Sequence, residues 1–91
     1  MNPIKLSNYP NPFSTTTTIA YELLSKANVS LIVYDNTGRE VAIIPVQMKG
    51  PGQHSFIFNS ENLRSGTYYY KIIVESPTKK LLKTGKMIII H

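Results

Sequence analysis

The side chains that could do chemistry in this 91-residue sequence are two histidines, five carboxylates and a scatter of serines. His54 and His91 stand far apart, and cysteine is absent, so a tetrahedral metal site has no ligand set. Glu22, Asp35, Glu40, Glu61 and Glu75 show no paired spacing of the kind a general acid and base would need. No serine sits in a nucleophile elbow, and no glycine-rich loop could cradle a phosphate. The sequence therefore predicts no enzyme, no catalytic residue, no metal and no cofactor. His54 shares its phase with Phe56 and Phe58, which predicts a core or core-edge histidine. His91 is predicted to fray.

Charge offers a second kind of chemistry. The formal net charge is +5, and Lys79, Lys80, Lys83 and Lys86 supply much of it. A cationic strip could meet phosphates or an anionic saccharide. The same lysines could simply solubilise the domain and protect a sheet edge. Tyr68, Tyr69 and Tyr70 beside Lys71 have the composition of a base-stacking platform. Alternation turns only Tyr69 outward, so no nucleic acid is expected as a partner.

These residues must be positioned by strands. Apolar side chains recur with period two: Ile19, Tyr21 and Leu23; Val29, Leu31 and Val33; Phe56 and Phe58; Tyr68, Tyr70, Ile72 and Val74. Such alternation marks half-buried strands rather than helices. Turn chemistry separates them at Asp35-Asn36-Thr37-Gly38, Lys49-Gly50-Pro51-Gly52, Ser65-Gly66 and Ser76-Pro77-Thr78. The predicted strands are about 4–8, 16–24, 29–35, 39–47, 53–59, 67–75 and 81–90. This spacing predicts an all-β, immunoglobulin-like sandwich of about seven antiparallel strands with little or no helix. The length allows one domain, residues 1–91, and a core that needs no disulfide. No apolar run is long enough to span a membrane as a helix. Residues 1–7 lack a signal-peptide pattern, so an exported parent would carry its signal upstream.

Three motifs stand out. In Tyr9-Pro10-Asn11-Pro12-Phe13, the prolines fix φ and remove two donors, which predicts a stiff crossover with Phe13 plugging the sandwich end. In Leu63-Arg64-Ser65-Gly66-Thr67-Tyr68, a tyrosine opening a strand predicts a tyrosine corner, with Gly66 giving the necessary backbone freedom. The run from Val33 and Tyr34 through Gly38, Arg39 and Glu40 to Val41 reads as strand, tight turn, strand, with Arg39 free to pair weakly with a carboxylate.

These motifs, with the closing Lys86-Met87-Ile88-Ile89-Ile90 run, occur in an order and spacing that resemble the type A C-terminal sorting domain of type IX secretion cargo. The resemblance covers nearly the whole chain. The Ig-like domain of the flagellar hook-capping protein is similar in pattern. The resemblance implies a fragment of a larger secreted protein, exported through the periplasm to the outer-membrane surface or the extracellular space. It implies a targeting module read by the type IX translocon and its shuttle proteins. A sortase-like protease would then cut at or before the first strand, near or upstream of residues 1–6, and link the cargo to anionic lipopolysaccharide. Family members commonly end in lysine or arginine, whereas this chain ends in His91. The recognition residues expected on this basis are Pro10, Asn11, Pro12, Gly38, Arg39, Gly66, Tyr68, Lys79, Lys80, Lys83 and Lys86. The alternative is an accessory Ig-like module of an extracellular hydrolase or adhesin, binding carbohydrate through Tyr34 and Tyr69 or packing on a neighbour. Exposed edges also allow an edge-strand homodimer.

Overall fold

A computed structural model of the chain describes residues 6–60 and 62–91. Glu61, the first positions of the first predicted strand and most of the expected cleavage region lie outside the described residues.

Seven strands follow in order: β1 (Leu6–Tyr9), β2 (Thr16–Leu23), β3 (Ala27–Tyr34), β4 (Glu40–Lys49), β5 (Gly52–Asn59), β6 (Gly66–Glu75) and β7 (Lys80–Ile89). All strand pairs are antiparallel, and no helix forms among the described residues. They make a three-stranded sheet, β1-β2-β5, and a four-stranded sheet, β4-β3-β6-β7. β4 joins β3 on the larger sheet, unlike the fourth strand of a constant-type immunoglobulin sandwich.

The period-two pattern works as predicted. Ile19, Leu31, Ile72, Met87, Val29 and Val33 are fully buried between the sheets, with the rings of Phe13, Tyr21, Phe56, Phe58 and Tyr70. β-branched and aromatic residues suit this half-buried pleated surface. His54 takes the core-edge place expected of it. Its ring stacks on Tyr21 at 5.5 Å, and Tyr21 stacks in turn on Phe56 at 5.2 Å.

Among the described residues, the pairing of β3 with β4 is irregular at two places, between Val29 and Leu31 and between Val33 and Tyr34. Leu31 faces Ile44 while Val29 faces Gln47, so β4 carries one extra residue near Pro45. A proline has no amide hydrogen to offer a ladder, and this edge strand tolerates it at the bulge.

Candidate functional site

The outer edge of β7 is where the chain's most distinctive motif is used. After β1, residues 10–13 leave the three-stranded sheet and lie along the end of β7 in the other sheet. Asn11 places its side-chain amide where a neighbouring strand's backbone would be. Its Nδ2 donates to the Lys86 carbonyl at 3.0 Å, and its Oδ1 accepts from the Ile88 amide at 2.8 Å. The backbone then takes over. Phe13 N–H donates to Ile88 at 3.0 Å, and the Ile90 amide donates to Phe13 at 2.8 Å, forming a parallel bridge with Ile89. Pro10 and Pro12 flank Asn11 without adding donors that need partners. The Pro10 carbonyl accepts from buried Thr17 Oγ1 at 2.7 Å. The crossover is thus a brace between two sheets as well as an entry to β2.

A second cluster closes one end of the sandwich. The Tyr68 hydroxyl donates to the Arg64 carbonyl at 2.8 Å, which is the expected tyrosine corner. Tyr68 Oη can be tested alone: Tyr68→Phe should cost about 1 kcal/mol and lower Tm by roughly 4–8 °C. A calorimetric or circular-dichroism melt checks this, and an unchanged Tm would mean that the corner contributes nothing. The neighbouring β3–β4 turn is organised by Asp35. Its Oδ1 accepts from the Thr37 hydroxyl at 2.6 Å, the Thr37 amide at 2.9 Å and the Arg39 amide at 3.0 Å. The Thr37 hydroxyl bond, then the Arg39 amide bond, hold the Asp35 carboxyl below the usual carboxylate range. Gly38 closes the turn at φ +90°. Arg39 reaches the Asp35 carboxylate at 3.5 Å from an exposed position, a weak pair of the kind predicted. A groove at this end is lined by Arg39, Gly66 and Tyr68 together.

The lysines do not form a single strip. Lys80 and Lys86 stand on the outer face of the four-stranded sheet, opposite Glu75 and Tyr69. Lys83 lies opposite buried Ile72 and so points to the other side of the strand. Lys79 sits in the turn before β7, with its carbonyl accepting from the Ser76 amide at 2.8 Å. The alternation that buries Met87 and Ile89 is what splits them.

His91 corrects an expectation. It is held, not frayed: its amide donates to Ser65 Oγ at 2.9 Å, and Nε2 lies 2.6 Å from the Leu63 carbonyl. Asn8 and Gly85 were also not singled out by sequence. Tyr70 lies opposite Gly85 across the β6–β7 pair, and its hydroxyl donates to Asn8 Oδ1 on β1 at 3.1 Å. Glycine inside a strand pattern is the signal that could have pointed to them.

No group of three His, Cys, Asp or Glu side chains that could hold a metal occurs among the described residues. A model of the secretion system C-terminal sorting domain family matches residues 7–90. No curated protein matches the chain. The crystal structure of dimeric latent PorU from Porphyromonas gingivalis is similar in fold, with a TM-score of 0.78 at 22% identity. The likeness covers 99% of this chain and 10% of that one, so this chain spans about a tenth of that protein's length. The chain belongs to the type IX secretion system C-terminal sorting domains, non-catalytic signal modules that target cargo proteins for secretion across the outer membrane.

Proposed function

We propose that residues 1–91 are one sorting domain of a longer cargo protein, read as a folded label by the type IX translocon and its shuttle proteins. A sortase-like protease then removes it at or before β1, leaving cargo at the cell surface or free outside. Linkage to anionic lipopolysaccharide would act on the cargo, not on this domain. The observation that carries this reading is the use to which the motif residues are put. Asn11 braces an edge, Gly38 closes a turn, and Tyr68 pins a connection. They specify a shape, and a shape is what a reader of cargo with unrelated sequences needs.

Of the recognition residues expected from sequence, Lys80 and Lys86 are exposed and suited to direct contact. Pro10, Asn11, Pro12, Gly38, Gly66 and Tyr68 act by holding the surface in place. An edge-strand homodimer would have to avoid two obstructed places. Pro45 and its bulge interrupt β4, and Asn11 with Phe13 occupies the end of β7. The accessory-module reading rests on Tyr34 and Tyr69, which are cross-strand neighbours. Lys71 Nζ lies over the Tyr34 ring, 5.4 Å from its centre, and competes for the face a sugar would stack on.

The test is a reporter with a signal peptide at its start and these 91 residues at its end, expressed in a type IX-competent host. The expected result is reporter outside the cell and freed of the domain, and reporter held in the periplasm when the translocon is deleted. Periplasmic retention in both hosts would refute the proposal.

A further inference from the structure

The two outer faces of the sandwich differ in kind. On the three-stranded sheet, Ser7, Ala20 and Ser55 form one outward row, and Tyr9, Thr18 and Ile57 the next. Its middle strand presents the small side chains of Thr18 and Ala20, which keep the exposed Tyr9 and Ile57 apart on the two edge strands. The four-stranded sheet is the opposite. Ile43 and Ile32 stand side by side across β4 and β3, and Ile73 and Leu82 across β6 and β7. Tyr69 continues the patch beside Tyr34. Ile43 is 60% exposed, Leu82 57% and Tyr69 44%, although each sits within a strand rather than in a loop. Adjoining apolar pairs on a solvent-facing sheet mark an interaction surface, whereas single exposed side chains do not.

Charge selects the occupant. Lys71 lies in the Ile32 row, in the middle of the patch, and Lys86 lies beside Tyr69. Of the carboxylates on this face, Glu75 is opposite Lys80 and Glu40 is opposite Tyr34, at the two ends. Among the described residues, the centre is therefore cationic and apolar without a carboxylate of its own. A second copy docked face to face would set lysine against lysine in a desolvated contact, which is costly. We propose that the outer face of the four-stranded sheet docks an apolar protein surface that presents carboxylates to Lys71 and Lys86. This rests on the sorting-domain reading above, and names the face through which the domain is read.

The test uses the reporter fusion. The unaltered fusion must be exported, and if it is not, the sorting reading fails before this one is reached. Ile43→Asp with Leu82→Asp, and separately Lys71→Glu, should each reduce export by at least ~10-fold. Lys71→Arg and the opposite-face control Ile57→Asp should export normally. Melting of each purified variant within a few degrees of the parent shows that the fold survives. Lys71→Glu is the milder change and serves where the double variant does not fold. A photoreactive residue at position 82 should yield an adduct with a second protein in the exporting host. Normal export of Lys71→Glu, an adduct with another copy of the fusion, or co-sedimentation of the purified domain with anionic lipid vesicles lost on Lys71→Glu would each overturn the proposal.

Discussion

Replacing Gly85 by alanine should cost the domain about 3 kcal/mol, a fall in Tm of roughly 12–24 °C, although the change adds a single methyl group. Gly85 sits in β7 directly opposite Tyr70 of β6. A Cβ at Gly85 would overlap the phenol end of Tyr70, at Cζ, Oη and Cε1. An aromatic ring laid over a cross-strand glycine is a known way of covering the gap glycine leaves in a sheet. Here the ring has no simple retreat. Tyr70 is 2% exposed, and its hydroxyl is bonded to Asn8 on the other sheet. Moving it breaks that bond and opens the place where β1 meets β7. The prediction is specific to the pair. In a Tyr70→Leu background, Gly85→Ala should cost at least ~1 kcal/mol less than in the parent, because the clash has gone. Chemical denaturation of the four proteins measures this. Additive losses would mean that Gly85 is required for some reason other than the ring.

The same pair marks the limit of what sequence could say. The alternation of Ile19, Tyr21 and Leu23, and of Tyr68, Tyr70, Ile72 and Val74, placed the core correctly, because burial on one face imposes period two on a strand wherever it lies. The tyrosine corner and the Gly38 turn were legible because each is a local device with its partners within a few residues. The β3–β4 turn depended on Asp35 as much as on Gly38, and the preference of Asx residues for bonding their own backbone could have revealed that. What sequence could not show was long-range. Asn11 meets Lys86 and Ile88, Asn8 meets Tyr70, and His91 meets Leu63 and Ser65. Nothing near any of these residues in sequence announces its partner. The lysines illustrate the converse. Lys79, Lys80, Lys83 and Lys86 are close in sequence, yet strand geometry and the intervening turn disperse them, and the chemically distinctive surface is the apolar face that Lys71 and Lys86 punctuate.

Phe13→Ala should be the most damaging change in the prolyl crossover, costing about 3–5 kcal/mol. That is a large part of the 5–15 kcal/mol that stabilises a typical domain. Phe13 is 5% exposed and meets Phe58 edge-on, with ring centres 6.5 Å apart. Its backbone also carries the parallel bridge to Ile89. The side chain anchors the crossover in the core, and the backbone uses that anchorage to hold the end of β7. Losing the ring should therefore do more than leave a cavity. The Ile90 amide, which donates to Phe13, should exchange with solvent much faster in Phe13→Ala, while amides in the β3–β6 pairing change only as far as global stability falls. Hydrogen exchange on the purified variant separates the two effects. A melt within a few degrees of the parent would remove Phe13 from the core argument. A uniform rise in exchange with no excess at Ile90 would keep the cavity but remove the Phe13 bridge from the brace, and the end of β7 would then be held by its pairing with β6 and by the Asn11 side chain.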